Sequence, residues 1–249
     1  MSIRLEDIHK AFGDKKVLQG FTLTVPTGEI VSVIGPSGSG KSTTLKHIIR
    51  LLDPDSGEVF VDDRNIGALE DDALYDLRRD VGYVFQFAAL FDSMTIRQNV
   101  EMGLKRIDGM TPGEMADRVK ESLERVDLTG TEDRFPAELS GGMRKRAGLA
   151  RAIALRPRYL LYDEPTTGLD PLTLGMVDRL ILKMRDDLGV TSLVITHDME
   201  SAYRISDQIA MLNKGRVHAV GSVDEIRNSE DPLVKGFTEG RLDLWEAAS

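Results

Sequence analysis

A glycine-rich loop between an apolar strand and a helix constrains the fold of this chain more than any other feature. The eight residues 35–42 fit the pattern G-x-x-x-x-G-K-[ST]. The apolar run 29–34 before them predicts a buried strand, and a helix is expected over 41 to about 51, before Pro54 ends it. A strand, a glycine turn and a helix in this order predict an α/β fold whose loop can bind phosphate.

The chemistry expected of this loop follows from its backbone and from its last residues. Backbone N–H groups of such a loop turn inward around phosphate oxygens, and the helix N-terminus adds a favourable dipole. Lys41 would reach the terminal phosphates of a nucleotide, and Ser42 would bind Mg²⁺. The alternative is an ordinary turn of glycine and serine, which the flanking strand and helix disfavour. The residues expected to contact the nucleotide are Gly35, Pro36, Ser37, Gly38, Ser39, Gly40, Lys41, Ser42 and Thr43.

Two consecutive carboxylates end a second apolar run. Residues 159–162 predict a strand buried on both faces, and Asp163 and Glu164 follow it directly. The carboxyl edge of a parallel sheet is where α/β proteins bind ligands. Asp163 would hold Mg²⁺, directly or through water, and Glu164 would act as the general base for an attacking water. Such a run also arises by chance, but together with the upstream loop it predicts a nucleoside triphosphatase.

Composition disfavours several other classes of protein. The chain has 249 residues, with 32 Lys and Arg against 41 Asp and Glu, which gives a net charge of −9. An acidic chain without a basic block is a poor nucleic-acid binder, so we expect no nucleic acid as a partner. The sequence contains no cysteine, which excludes disulfides and thiolate metal sites and is compatible with the cytoplasm. No run of about 18 apolar residues predicts a membrane span, and we expect no signal peptide.

Hydrophobic periodicity divides the chain into segments of different character. The first part alternates apolar and polar residues between glycine turns, which predicts an antiparallel β layer. From about 87 to 139 helical signals replace strand signals, and strands alternate with helices again afterwards. We expect one domain over 1–228, with an α-helical subdomain at about 87–156 inserted in it. The tail at 229–249 could contact a partner or a second protomer.

A second group of small residues begins a helix far along the chain from the first loop. Ser140 would cap this helix, with Gly141 and Gly142 in its first turn. Such a terminus can bind phosphate, yet one triphosphate does not need two such sites on one chain. A head-to-tail dimer would use both, because the loop of one copy and the Ser-Gly-Gly of the other would enclose one nucleotide. A plain helix cap is the alternative.

Together these motifs resemble the nucleotide-binding subunit of ATP-binding cassette (ABC) transporters, over about residues 2–227. The resemblance implies a P-loop NTPase fold with a RecA-like core, which hydrolyses ATP with Mg²⁺ as a homodimer. Phe12 would then stack on adenine, and Gln86 would sense both Mg²⁺ and the membrane partner. Asp170 would belong to a loop that crosses the dimer interface, and His197 would contact the γ-phosphate. Each of the four also has a plain explanation, as a core aromatic, a strand-end amide, a helix cap and a structural histidine.

Two segments resemble one branch of the family, the ATPases of Mla and Mce-type lipid transporters. They are the run 139–152, where Met143 stands in place of the usual glutamine, and the run 85–94. The resemblance implies lipid transport between the inner membrane and the outer envelope. The expected partners are a second copy, integral membrane permease subunits and an Mce-domain lipid-binding protein, with the chain peripheral on the inner face of the cell membrane.

Two other functions remain open at this point. An amino-acid or other small-solute importer would use the same ATPase with a different cargo. A cassette protein that acts on ribosomes or DNA is disfavoured, because such proteins usually carry two fused cassettes or a long coiled coil. This chain has a single phosphate loop and no sustained heptads.

Overall fold

The computed structural model describes residues 2–248, which form two sheets flanked by helices. The first sheet is antiparallel, with strands in the order β2-β1-β4-β5. Its strands are β1 (Ser2–Phe12), β2 (Lys15–Pro26), β4 (Ser56–Val61) and β5 (Arg64–Asn65). The predicted antiparallel layer at the start of the chain is therefore confirmed, with β4 and β5 added to it from beyond the phosphate loop.

The second sheet has six strands in the order β10-β9-β3-β8-β7-β6. Five of them run parallel, and only the edge strand β10 pairs antiparallel. The ranges are β3 (Ile30–Ile34), β6 (Val81–Val84), β7 (Tyr159–Asp163), β8 (Thr191–Ile195), β9 (Gln208–Asn213) and β10 (Arg216–Ser222). Every residue of β3 and β8 is buried, as expected for parallel strands covered on both faces.

Helices cover both faces of this sheet. The helices that precede β7 in the chain are α1 (Lys41–Ile48), α2 (Asp71–Arg79), α3 (Ile96–Leu104), α4 (Pro112–Arg125) and α5 (Gly141–Ile153). The helices that follow β7 are α6 (Pro171–Leu188), α7 (Met199–Ile205), α8 (Val223–Arg227), α9 (Pro232–Thr238) and α10 (Leu242–Ala248). Helix α1 ends earlier than the predicted residue 51. Arg50 adopts a left-handed φ of 48°, and the Leu51 N–H returns to the Lys46 carbonyl at 2.8 Å, which closes the turn.

The helical stretch between β6 and β7 contains α3, α4 and α5. Its apolar side chains Val100, Val119 and Leu123 are fully or almost fully buried, and they share one core with Leu160 and Tyr162 of β7. The stretch is therefore packed against the parallel sheet. The bounds proposed for a separate helical subdomain remain a prediction.

The tail packs on the domain that precedes it. Leu233 and Val234 of α9 are buried in a cluster with Ile34 and Met211 of the parallel sheet, and Trp245 of α10 packs partly buried against it. Asp231 caps α9 and Pro232 occupies its first position, so the sequence carried a helix-start signal here. A contact of the tail with another chain remains a prediction.

Candidate active site

The glycine loop places a lysine inside its own turn. Gly35 has a φ of 146°, and a Cβ there would lie 2.3 Å from the Leu212 carbonyl oxygen, so only glycine fits. The Lys41 Nζ donates to the carbonyls of Gly35 and Pro36 at 2.7 and 2.9 Å, and the side chain is buried. Burial lowers the pKa of Lys41, although Glu164 and Asp163 partly oppose that shift. An incoming phosphate would give this ammonium a stronger acceptor than two carbonyls.

The cleft above the loop fits a polyphosphate. It has a volume of about 290 Å³, and the loop residues line it together with Lys15, Val17 and Glu164. The Ser39 Oγ is buried in the loop and has no hydrogen-bond partner among residues 2–248. Gly38 and Gly40 have left-handed φ values of 77° and 104°, which such an inward-facing loop requires. The loop therefore offers the unpaired Ser39 hydroxyl and the buried Lys41 ammonium at the place where the resemblance implies phosphate.

A hydroxyl and a carboxylate meet beside this cleft. The Ser42 Oγ donates to Asp163 Oδ1 at 2.7 Å, although 121 residues separate them in the chain. The other oxygen, Oδ2, accepts from the Tyr83 hydroxyl at 3.1 Å. Burial, followed by the charge of Asp163, raises the pKa of Tyr83 well above its usual value, so this phenol is a donor at neutral pH. Hydroxyl and carboxylate oxygens are the ligands that Mg²⁺ takes alongside phosphate oxygens, so this pair fits the predicted metal site.

Three side chains converge on one carboxylate oxygen next to this pair. Glu164 Oε2 accepts from Thr167 Oγ1 at 2.8 Å and from Gln86 Nε2 at 3.2 Å. The Nδ1 atom of His197 lies 3.4 Å from the same oxygen. Glu164 adopts a left-handed φ of 48°, an uncommon conformation for a residue with a side chain. The structure thus brings together Gln86, Glu164 and His197, which the sequence analysis placed in one site.

Gln86 contacts Glu164 through its amide nitrogen, whereas the sequence analysis assigns Gln86 to Mg²⁺. An amide nitrogen donates hydrogen bonds, whereas a metal would need the amide oxygen. The assignment of Gln86 to the metal remains a prediction.

The remaining predicted residues make no hydrogen bond to Asp163 or Glu164 within residues 2–248. Ser140 caps α5 and accepts from the Met143 N–H at 3.2 Å, and Asp170 caps α6. A Cβ on Gly142 would lie 2.3 Å from Thr173 Cγ2, so α5 and α6 touch there. No hydrogen bond within residues 2–248 joins Ser140, Gly141 or Gly142 to the phosphate loop. Phe12 ends β1 with 49% of its surface exposed, which leaves its ring accessible for stacking.

Sequence reasoning assigned Thr167 no role at Glu164, and it missed two further residues of this region. Tyr83 gave no signal, because a tyrosine in a strand pattern reads as a core residue. Lys145 donates to the carbonyls of Pro165 and Thr167 at 2.9 and 2.6 Å. Backbone carbonyls carry no side-chain pattern, so a lysine that binds them cannot be recognised from the sequence.

Comparison with known proteins gives the family. The family model described as ABC transporter matches residues 18–167. A sulfate/thiosulfate import ATP-binding protein of Synechocystis sp. is 40% identical, over 95% of this chain and 65% of that protein. A probable ribonucleotide transport ATP-binding protein of Mycobacterium tuberculosis is 38% identical, over 97% of this chain and 67% of that protein. The protein TRIGALACTOSYLDIACYLGLYCEROL 3 of Arabidopsis thaliana is 40% identical, over 97% of this chain and 74% of that protein.

Solved structures agree with this comparison. An ATP-binding cassette solved as a dimer in a post-hydrolysis state, bound to ADP and Pi, superposes with a TM-score of 0.81 and 35% identity. The match covers 89% of this chain and 98% of that one. CbiO1 from Clostridium perfringens gives a TM-score of 0.84 at 28% identity, over 97% of this chain and 95% of that one. The chain therefore belongs to the ABC transporter family, as an ATPase domain that binds ATP with Mg²⁺.

Proposed function

We propose that this chain is the ATPase subunit of an ABC transporter that moves lipid, and that two copies work head to tail on two ATP molecules. The observation that carries the ATPase mechanism is the convergence of Gln86, Thr167 and His197 on Glu164, beside the pair formed by Ser42 and Asp163. The permease partners and the cargo rest on separate observations.

The mechanism assigns each side chain one task. Lys41 and the loop N–H groups bind the terminal phosphates, and Phe12 stacks on adenine. Ser42 and Asp163 would hold Mg²⁺, and the ion would neutralise charge on the phosphates. Glu164 orients the attacking water and accepts its proton, while His197 steadies the γ-phosphate. Most of the rate enhancement then comes from positioning and charge stabilisation rather than from covalent chemistry.

The dimer explains why the two phosphate-binding motifs lie apart within one chain. Ser140, Gly141 and Gly142 of one copy would close on the nucleotide held by Lys41 of the other. Asp170, at the start of α6, would lie at that boundary. The likeness to a cassette solved as a dimer with ADP and Pi supports this arrangement.

Exchange of the proposed base tests the mechanism. Glu164→Gln keeps the size of the side chain but removes its basicity, so ATP should bind while turnover falls by about 10²-fold or more. The trapped nucleotide should then hold two chains together, which light scattering would detect with ATP and Mg²⁺ present. A variant that hydrolyses ATP at the wild-type rate would contradict the assignment of Glu164.

Exposed aromatic side chains around Gln86 in the sequence support a membrane partner. Phe87 is 84% exposed, and Phe85 and Phe91 in the same segment are 39% and 48% exposed. Exposed apolar surface of this kind commonly marks a protein contact. Within the part of the chain that the structure describes, no helix is both long and apolar enough to cross a bilayer. Attachment to permease subunits would therefore place the chain at the inner face of the membrane.

A single substitution in this surface tests the partner. Phe87→Asp should abolish co-purification with a membrane permease and leave the ATPase activity of the isolated chain within about twofold, because the Phe87 side chain is 84% exposed and packs little against the rest of the chain. The matched control is Leu51→Asp, since Leu51 is another exposed apolar side chain, at 55%. Equal loss of the permease in both variants would argue against a specific docking surface.

Lipid as the cargo rests on the runs 85–94 and 139–152 and on the relative named for the glycolipid trigalactosyldiacylglycerol. The relative named for sulfate and thiosulfate import favours a small solute instead. Mass spectrometry of proteins and lipids that co-purify with the chain separates the two. A permease with an Mce-domain protein and phospholipid supports lipid transport, whereas a permease with a solute-binding protein supports the importer. Ribosomal or DNA-associated partners would overturn both.

A further inference from the structure

A half-buried lysine connects the helix that begins at Ser140 with the loop that follows Glu164. Lys145 lies in the second turn of α5, and its Nζ donates to the Thr167 carbonyl at 2.6 Å and to the Pro165 carbonyl at 2.9 Å. Both carbonyls belong to the turn between β7 and α6. The ammonium therefore fastens one end of α5 to this turn.

The turn that Lys145 holds also carries the partners of Glu164. Thr167, whose carbonyl binds Lys145, donates its hydroxyl to Glu164 Oε2 at 2.8 Å. Glu164 itself has the uncommon left-handed φ of 48°, so the surrounding turn must hold it in place. Burial lowers the pKa of Lys145, and the charge of Glu164 opposes this shift. A partly buried ammonium group stabilises the turn only while its N–H groups remain hydrogen-bonded.

In the head-to-tail dimer, the two ends of this connection serve different nucleotides. Ser140 and Gly142 of one chain contact the ATP held by the partner, whereas Glu164 of the same chain acts on its own ATP. Resting on the proposed dimer, we propose that Lys145 is a positioning residue that couples the two ATP sites. Engagement of Ser140–Gly142 by the partner's nucleotide shifts α5, and Lys145 passes that shift to the turn that orients Glu164.

The coupling predicts a specific kinetic change. Lys145→Met keeps the length of the side chain but removes all its donors, so α5 and the turn lose their polar connection. The turnover number should fall by about tenfold, because Glu164 is no longer oriented by the turn. The Hill coefficient for ATP should be above 1 in the wild type and about 1 in Lys145→Met, since each site of the variant responds only to its own nucleotide. Lys145→Arg keeps the cation and should restore much of both values.

Two measurements separate coupling from a merely structural role. Lys120→Met, on an exposed face of α4, is the matched control and should keep wild-type kinetics and melting temperature. A Lys145→Met variant whose Hill coefficient remains at the wild-type value overturns the coupling, even if its turnover or stability is lower. A wild-type Hill coefficient of about 1 overturns it as well.

Failure of the proposed function gives a different result. In that case the wild type hydrolyses no ATP, or Glu164→Gln forms no dimer with ATP. If both of those experiments succeed and the Hill coefficient is the same with and without the Lys145 ammonium, only the coupling is wrong.

Discussion

Substitution of Gly142 by alanine should separate α5 from α6. The added Cβ would lie 2.3 Å from Thr173 Cγ2, whereas apolar carbons in contact prefer about 3.5–4.0 Å, so one helix must move by roughly 1.2–1.7 Å. Thr173 cannot turn away freely, because its hydroxyl donates to Asp170 Oδ2 at 2.5 Å and its N–H donates to Asp170 Oδ1 at 3.1 Å. The methyl group is therefore held where the new Cβ must go.

The magnitude follows from two opposing effects. Overpacking of this size costs about 1–3 kcal/mol of the free energy of unfolding. Alanine gains up to about 1 kcal/mol over glycine in a helix, and less in the first turn. The net loss should be about 1–2 kcal/mol, which lowers the melting temperature of a chain of this size by roughly 2–8 °C. Thermal unfolding of the chain without nucleotide, followed by circular dichroism, measures this.

The neighbouring glycine provides the control for this experiment. A Cβ on Gly141 would meet only Arg144 Nη2, at 4.0 Å, so Gly141→Ala should leave the melting temperature unchanged or slightly higher. Thr173→Ser removes the methyl group and keeps the hydroxyl, so it should restore most of the stability that Gly142→Ala loses. Equal melting temperatures for Gly141→Ala and Gly142→Ala, or no recovery with Thr173→Ser, would refute the packing argument.

Two other changes probe the site and its surroundings. Tyr83→Phe removes the donor to Asp163 Oδ2 and should raise the Mg²⁺ concentration for half-maximal ATPase activity by about tenfold, measured by Mg²⁺ titration; an unchanged requirement would exclude a role for the hydroxyl. His47 is buried with its Nε2 unpartnered among residues 2–248, and burial, the largest cause, lowers its pKa below the ordinary 6.5. Below pH 6.5 the unfolded chain therefore binds a proton at His47 that the folded chain does not. As the pH decreases below 6.5, the free energy of unfolding of the wild type should decrease by up to about 1.4 kcal/mol per pH unit more than that of His47→Gln, measured by urea unfolding. Parallel pH profiles for the two proteins would show that His47 is not responsible.

The central site could be predicted from sequence because its residues follow strands. Ser42 follows the loop after β3, while Asp163 ends β7 and His197 lies just beyond β8. Parallel strands bring their carboxyl ends to one edge, so adjacency in space follows from the strand pattern alone. The hydrogen bond between Ser42 and Asp163 is the clearest instance, because 121 residues separate them in the chain.

The rest of the site depends on contacts that leave no pattern in the sequence. Lys145 binds carbonyl groups, and Thr173 supplies only a methyl group to Gly142. In the sequence, the small residues at Ser140–Gly142 indicate a phosphate-binding helix start, but Gly142 is also needed for close packing of two helices. Phosphate binding and helix packing thus both favour glycine at position 142, so the sequence alone cannot show which of the two requires it.

The contacts between helices also bear on how an ABC cassette of this kind can close. Gly142 and Lys145 join α5 to α6 and to the turn before it. The buried carboxylate of Asp178 joins α6 to α7, since it accepts from Ser201 Oγ at 2.5 Å and from Arg204. Ser140, Asp170 and His197 therefore lie in or beside helices that are fastened to one another. These contacts resist separate movement of the helices, so a shift of α5 during closure around ATP in the proposed dimer should carry α6 and the turn before it along.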